Sequence, residues 1–208
     1  RLKKEIVSLG QGNINIKKMT GKFVEAEKWD SLISKENIKI IDVRNPYEIN
    51  VGKFKKSINP STRNFRQFPS EFQKMKLKKS DKIAMYCTGG IRCEKASAYI
   101  KKLGYKKVFQ LRGGILNYLD HYKNKKGNGM WKGECFVFDN RVTVNKKLSK
   151  GKYSQCYGCR SPISEDDMKS EFYIKGVTCP YCYSIRTEEQ KKRSSSRQKQ
   201  INGSILKF

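Results

Sequence analysis

The sequence predicts an α/β fold in which a parallel sheet is flanked by helices. Three short apolar runs, IKIIDVR (38–44), KIAMY (82–86) and KVFQL (107–111), alternate with stretches whose apolar residues recur at helical spacing. Near-continuous apolar runs are typical of parallel strands that are buried on both faces. Strands that alternate with helices in this way indicate crossovers between parallel neighbours.

The segment before the first strand predicts a linker and a helix. QGNINIKKMTGKF (11–23) has little periodicity and is interpreted as a polar linker. VEAEKWDSLISKEN (24–37) places Trp29, Leu32 and Ile33 on one face, which is the pattern of a helix that buries one side.

The remaining elements lie between the three predicted strands or follow the third. Helices are predicted over EFQKMKL (71–77), EKASAYIKKLG (94–104), where the final glycine ends the helix, and GGILNYLDHY (113–122). ECFVFDNRVTV (134–144) predicts two short strands around a turn at Asp139-Asn140.

The composition shifts along the chain predict five segments. They are a remnant of an upstream domain with a linker (1–20), the α/β domain (21–126), a β appendage (127–148), a four-cysteine zinc-ribbon-like module (149–186) and a disordered basic tail (187–208). The tail is predicted to be disordered because it is rich in serine and basic residues and poor in apolar ones.

The charge of the chain favours a polyanionic partner such as RNA. The net charge is +27, from 46 basic and 19 acidic residues. Because 35 of the basic residues are lysine, compositional drift is the alternative explanation. No apolar run is long enough to span a membrane, and the start of the chain has no signal-peptide pattern. The odd count of seven cysteines favours reduced thiols and a cytoplasmic protein.

A thiol loop follows the second predicted strand. Cys87 lies at the carboxyl end of KIAMY, and Thr88, Gly89, Gly90 and Ile91 lead into a helix that begins beside Arg92. Sites in parallel α/β sheets form at this end of the strands. Backbone N–H groups of such a loop, the helix dipole and the arginine all favour a thiolate over a thiol. The loop therefore predicts a nucleophilic Cys87 in a cradle of residues 88–91, with Arg92 as its cation; a buried structural cysteine is the alternative.

The spacing and the flanking motifs of this loop resemble the rhodanese family. Cys-x4-Arg is one residue shorter than the Cys-x5-Arg loop of the cysteine-based phosphatases, and it is similar to the rhodanese loop, in which cysteine carries sulfur as a persulfide. IDVRNPYE, GKFKKSINP, with lysine in place of the family's histidine, and LRGGILNYL resemble further rhodanese segments. The resemblance covers about residues 25–122. It implies a rhodanese-like fold, in which buried Asp42 and Arg44 support the active loop.

A longer series of motifs resembles the rhodanese-related oxygen-dependent tRNA uridine hydroxylases. In chain order these are TGKFVEAEKWDSLI, GKFKKSINPSTRNFRQFP, YCTGGIRCEKASAY, GGILNYL, WKGECFVFDNRVTV and CYGCRSPISEDD with GVTCPYC. The resemblance implies oxygen-dependent conversion of the wobble uridine of tRNA to 5-hydroxyuridine, with Cys87 essential, tRNA as partner and molecular oxygen as co-substrate. The family also has an N-terminal α/β domain, of which only a last strand around Glu5-Ile6-Val7 is expected here. A separate chain is therefore a candidate partner that supplies the rest.

Two cysteine pairs predict a metal site. Cys156-x2-Cys159 and Cys179-x2-Cys182 are separated by nineteen residues, a spacing that suits tetrahedral coordination of zinc by four thiolates. All four positions are filled by cysteine, so the zinc would be structural. The alternatives are free or redox-active thiols, or a site that no longer binds metal. No organic cofactor site is evident, and a single histidine, His121, excludes an iron site with two histidines.

Several further residues carry weaker predictions. Arg63, Phe65 and Arg66 combine charge with an aromatic ring and are candidate RNA contacts, the alternative being a surface loop. Cys93 is a candidate resolving thiol for an oxidised Cys87, the alternative being a small packing residue, and Cys135 is expected in the core.

The sequence leaves two other functions open. One is a sulfurtransferase that passes persulfide sulfur from Cys87 to an acceptor. The other is a non-catalytic RNA-binding remnant of a split gene.

Overall fold

The computed structural model describes residues 7–12, 14–127 and 129–205. Its strands are β1 (Lys22–Val24), β2 (Ile38–Asp42), β3 (Gly52–Phe54), β4 (Lys82–Tyr86), β5 (Val108–Leu111), β6 (Trp131–Gly133), β7 (Cys135–Phe136), β8 (Thr143–Val144), β9 (Ser154–Gln155) and β10 (Pro162–Ile163). Its α-helices are α1 (Ile16–Met19), α2 (Ala26–Ile33), α3 (Pro46–Ile49), α4 (Phe68–Lys74), α5 (Ile91–Lys102), α6 (Gly114–Tyr122), α7 (Glu165–Lys169) and α8 (Glu188–Ile205).

Two compact units divide the chain. The first comprises the described part of residues 1–136 together with 144–149, and the second comprises 137–143 together with the described part of 150–208. Among the helices of the described ranges, none combines the length and the apolar character that a membrane span requires.

A parallel sheet with strand order β1-β5-β4-β2 forms the centre of the first unit. β2, β4 and β5 lie where the three apolar runs predict strands. Every residue of β4 from Ile83 to Tyr86 is buried, as expected for a strand covered on both faces. Helix α2 contacts α6, and α4 contacts α5. The predicted α/β architecture is therefore confirmed.

The predicted linker before this domain is wrong at its end. Lys22–Val24 is strand β1, which pairs in parallel with β5. The missed strand is short and lies at the sheet edge, so it lacks an apolar run. Leu9, further upstream, is also buried against the core. Of the predicted upstream strand, Glu5 and Ile6 lie outside the described residues.

An aromatic cluster closes one side of the first unit. The ring of Phe54 makes edge contacts with Trp29, Tyr86, Tyr118 and Trp131, with ring centroids 4.7 to 6.0 Å apart. Edge-to-face pairs at this distance are favourable beyond the area they bury. Trp131 belongs to β6, which pairs antiparallel with β3. The start of the predicted β appendage is thus part of the first unit.

The second unit contains short elements and one long helix. β9 and β10 pair antiparallel, and a Val137–Val142 backbone hydrogen bond of 2.9 Å closes a turn that includes the predicted Asp139-Asn140. Residues 188–205 form helix α8, so the prediction of a disordered tail is wrong for them.

Local interactions explain why the tail is helical. Thr187 and Gln190 form a reciprocal capping box, with hydrogen bonds of 3.1 and 3.2 Å, at the start of α8. Ion pairs then link Glu188 to Lys191 and Glu189 to Arg193. Composition alone concealed this arrangement, because it reports residue types and not their spacing.

Helix α6 approaches the thiol loop with its amino end. The N–H of Ile115 donates to the Cys87 carbonyl at 2.9 Å, and that of Leu116 donates to the Thr88 carbonyl at 3.1 Å. Gly114 has φ +65°, and a Cβ there would lie 2.4 Å from the Cys87 carbonyl oxygen and 2.5 Å from that of Thr88. Only glycine permits this close approach.

Replacing Gly114 with alanine is therefore expected to destabilise the protein by about 3 kcal/mol or more, because it adds a steric clash to the cost of a positive φ. Gly104→Ala is the matched control: φ there is +95°, but no atom lies within 4 Å of the added Cβ. We expect it to cost about 1 kcal/mol. Urea unfolding of both variants measures the difference, and equal losses would contradict the proposed role of the close approach.

Candidate functional site

The Cys87 thiol lies in a closed loop at the carboxyl end of β4. Its side chain is only 1% exposed, and its Sγ accepts a hydrogen bond from the Gly90 N–H at 3.2 Å. Gly90 has φ +93° and precedes the first residue of α5, so a left-handed backbone turns the chain into the helix. Within the predicted cradle of residues 88–91, it is Gly90 that supplies this N–H.

The environment of Cys87 favours its thiolate. Burial alone would raise the pKa of this thiol, but a hydrogen bond from the Cys93 side chain, the charge of Arg92 and the backbone N–H groups of Cys93 and Gly90 outweigh it and lower the pKa to about 6. Cys87 is therefore mostly ionised at neutral pH. A thiolate is the nucleophilic form of cysteine, and its activation here needs no separate base.

Cys93 complements Cys87 by remaining protonated. Burial, and then its hydrogen bond and proximity to Cys87, raise the pKa of Cys93 well above its ordinary value. Its side chain is fully buried in the core that surrounds the loop. The two thiols thus share one proton, which resides on Cys93.

Arg92 is held by a buried carboxylate that the sequence analysis did not assign to the site. Its two terminal nitrogens each donate to Glu48, at 2.6 Å, and one also donates to Thr88 Oγ1 at 3.4 Å. Glu48 is fully buried on α3. A bidentate pair of this kind fixes the guanidinium plane. The signal for Glu48 in the sequence is its place after Asn45, in a capping position at the start of a short helix.

Asp42 and Arg44 form a second buried ion pair with a contact of 2.7 Å. Arg44 also donates to the backbone carbonyls of Glu48 at 3.1 Å and Gly52 at 2.7 Å. These bonds stabilise the connection that carries Glu48. The pair thus acts on the thiol loop through Glu48, with no hydrogen bond of its own to residues 88–91 in the described ranges.

Not all of the candidate RNA-contact residues are exposed at the surface, where RNA could reach them. Phe65 is 7% exposed and packs on Phe68 in the core, so the prediction that it stacks on a base is wrong. A short 3-10 turn over Phe65–Gln67 directs this ring inward. Arg63 and Arg66 are exposed. At the thiol loop itself, Ile91 is 51% exposed and presents apolar surface.

Four cysteines of the second unit converge. The Sγ atoms of Cys156, Cys159, Cys179 and Cys182 all lie within 4.8 Å of one another. Contacts of 3.8 Å join Cys179 to both Cys159 and Cys182, and 4.0 Å separates Cys156 from Cys182. Tetrahedral Zn–S bonds of about 2.3 Å require S–S distances of about 3.8 Å. The cluster therefore fits a structural zinc site with four thiolate ligands and no open position.

The last cysteine is structural. Cys135 is buried in the first unit, and burial raises the pKa of its thiol to about 12. It therefore remains neutral, as expected for a core residue.

The chain is similar to several solved rhodanese structures. A rhodanese-related protein from Thermoplasma volcanium is 24% identical, with 48% of this chain and 92% of that chain covered and a TM-score of 0.40. The rhodanese-like domain of an Anabaena protein is 19% identical, with coverage of 55% and 80% and a TM-score of 0.44. A rhodanese-like domain protein from Staphylococcus aureus is 19% identical, with coverage of 47% and 90% and a TM-score of 0.40.

The family model for the rhodanese-like domain matches residues 25–121. This range includes the parallel strands β2, β4 and β5, the thiol loop and the Glu48–Arg92 pair. Residues 25–121 of this chain are a rhodanese-like domain.

Proposed function

We propose that this protein converts the wobble uridine of tRNA to 5-hydroxyuridine in an oxygen-dependent reaction that requires Cys87. The observation that carries the proposal is that the motif resemblance continues beyond the rhodanese-like domain into the four-cysteine module, whose four Sγ atoms lie within 4.8 Å.

In this proposal the described residues prepare a nucleophile. Cys87 is the catalytic thiolate, Arg92 and the Gly90 N–H stabilise its negative charge, and Glu48 positions Arg92. Cys93 holds the proton that the pair shares. One atom of molecular oxygen replaces the C5 hydrogen of uracil as a hydroxyl group. The other atom leaves as water, which takes two electrons and two protons from an external reductant such as a small thiol. A structural zinc would hold the cysteine pairs of the second unit.

Sulfur transfer is the second candidate function. It is favoured by the short Cys-x4-Arg loop, whose Gly90 N–H already donates to the Cys87 sulfur. In that reaction the thiolate takes the outer sulfur of thiosulfate and releases sulfite. Cyanide then takes the sulfur from the persulfide, which yields thiocyanate and restores the thiolate.

The modified nucleoside in tRNA tests the proposed function directly. In a host that lacks wobble-uridine hydroxylases, this chain, expressed together with an N-terminal α/β domain of the resembled family, is expected to restore 5-hydroxyuridine. Cys87→Ser is expected to abolish it, because the thiolate is lost. Mass spectrometry of tRNA nucleosides measures the product.

Cys135→Ser provides the control, since this thiol is buried and its pKa is raised to about 12. Absence of 5-hydroxyuridine in every arm, with thiocyanate formed by the wild type but not by Cys87→Ser, would replace the hydroxylase proposal with sulfur transfer. Absence of both products would favour a non-catalytic role.

The reactivity of Cys87 is expected to depend on pH. Alkylation of Cys87 by iodoacetamide is expected to rise with pH and to reach half its maximum near pH 6, where the thiol ionises. Cys93→Ala removes a hydrogen bond that favours the thiolate, so its midpoint is expected to move upward by about one pH unit. Mass spectrometry of the Cys87 peptide measures the rate. A midpoint near pH 9 in the wild type would contradict the conclusion that the loop lowers the pKa of Cys87.

The four-cysteine cluster is expected to bind zinc. The purified chain is expected to contain about one zinc, and Cys159→Ser is expected to lose it, because three thiolates bind zinc more weakly than four. Elemental mass spectrometry measures the ratio of zinc to protein. Cys135→Ala removes a cysteine outside the cluster and should retain zinc. Equal zinc in both variants would show that the metal binds elsewhere.

A further inference from the structure

A pocket lies on helix α8 of the second unit. Its volume is about 300 Å³, and it is lined by Arg186, Gln190, Arg193, Ser194 and Arg197. Four of these recur at i, i+3, i+4 and i+7 along the helix, so they share one face. We call this feature the α8 arginine pocket. The chain has 35 lysines but only eleven arginines, and three of these arginines line the pocket. A drift of the composition toward lysine therefore does not explain why the pocket is rich in arginine.

Two arginines of the pocket are held in place by backbone carbonyls. Arg186 donates to the carbonyls of Gly158 and Gln190, and to Ser194 Oγ at 2.6 Å. Its Nε is buried without a hydrogen-bond partner. Arg197 donates to the carbonyl of Tyr157 at 3.2 Å and also to that of Gly176. Carbonyls orient these guanidinium groups but do not neutralise them.

The pocket therefore carries uncompensated positive charge. Among the described residues, no carboxylate lies within 4 Å of the charged groups of Arg186 or Arg197. Arg193 has one loose contact of 3.9 Å with Glu189, and its side chain is 71% exposed. Fixed guanidinium groups around a concave space are the arrangement that recognises phosphate oxygens.

An aromatic ring adjoins these charges. Tyr157 is 55% exposed, its carbonyl is bound by Arg197, and its ring lies 5.7 Å from the guanidinium of Arg160. Exposed rings beside arginines bind single-stranded RNA by stacking on its bases, while the arginines contact the phosphates. An acidic peptide would use the charges but has no base to stack on the ring.

We propose that the α8 arginine pocket binds a phosphodiester group of an RNA strand, with Tyr157 stacking on a neighbouring base. The choice of RNA rests on the proposed function, which makes tRNA the substrate. Arg193 is the arginine that reaches the ligand most freely, whereas Arg186 and Arg197 form the wall.

The test measures binding of the full chain to a fluorescein-labelled RNA hairpin with uridine in its loop, by fluorescence anisotropy over a series of salt concentrations. Arg193→Gln is expected to weaken binding by roughly three- to tenfold and to lower the slope of log K against log salt by about 0.7 to 0.9. Lys192→Gln removes the same charge from an exposed neighbour on α8 that does not line the pocket. It is expected to weaken binding by less than twofold.

Three outcomes would overturn the proposal. Equal losses for Arg193→Gln and Lys192→Gln would mean that only diffuse charge attracts RNA. Competition by polyglutamate as effective as that by unlabelled RNA would assign the pocket to acidic protein segments. Failure of the wild type to bind the hairpin would remove the site altogether.

The binding measurement needs no turnover, so it separates this proposal from the proposed function. Cys87→Ser is expected to bind the hairpin as the wild type does. Binding that depends on Arg193, in a chain that forms no 5-hydroxyuridine, would leave the pocket intact and remove the hydroxylase function. If the chain forms 5-hydroxyuridine but Arg193→Gln weakens RNA binding no more than Lys192→Gln does, the hydroxylase function stands and the pocket proposal fails.

Discussion

The buried Glu48–Arg92 ion pair connects most of what the thiol loop requires. Glu48 accepts both terminal nitrogens of Arg92 at 2.6 Å, and one of its oxygens also accepts the Asn45 N–H at 2.9 Å. Its own carbonyl accepts from Arg44. Through its side chain and its carbonyl, this one residue thus joins the start of α3, the first turn of α5 and the buried pair at the end of β2. A buried carboxylate is costly unless it is paired, and here the partner is the cation that the Cys87 thiolate needs nearby.

The pKa of Cys87 is set by opposing contributions, of which burial is the largest single one. Burial opposes ionisation of Cys87, yet the pKa falls from 9.0 to about 6 because the Cys93 thiol, Arg92 and two backbone N–H groups together outweigh it. Three pKa units correspond to about 4 kcal/mol in favour of the charged form. Since the pKa is lowered on folding, this contribution stabilises the folded protein above the unfolded pKa near 9 and is lost as pH falls through 6.

The sequence predicted the features that depend on neighbouring residues. The three central strands follow from apolar runs, the thiol loop from Cys87 to Arg92, and the metal cluster from two Cys-x2-Cys pairs. The features that the sequence did not predict depend on contacts between residues far apart in the chain, or on the spacing of residues, which composition does not report. Phe65 is buried because it meets Phe68 in the core, which a loop rich in arginine does not reveal. Strand β1 exists because β5 offers a parallel edge, and α8 because Thr187 and Gln190 cap it.

The titratable side chains near the thiol loop determine which group can give a proton to Cys87 or take one from it. His121, the one histidine of the chain, contacts Glu27 on α2 and Lys125, and it does not contact the thiol loop. Arg92 keeps its proton, since its pairing with Glu48 holds its pKa above the ordinary value despite burial. Cys93 is thus the titratable side chain that hydrogen-bonds Cys87. A nucleophile that is ionised before substrate binds needs no histidine to take its proton. The chemistry of this loop is therefore that of a preformed thiolate, with Cys93 as the proton donor within reach.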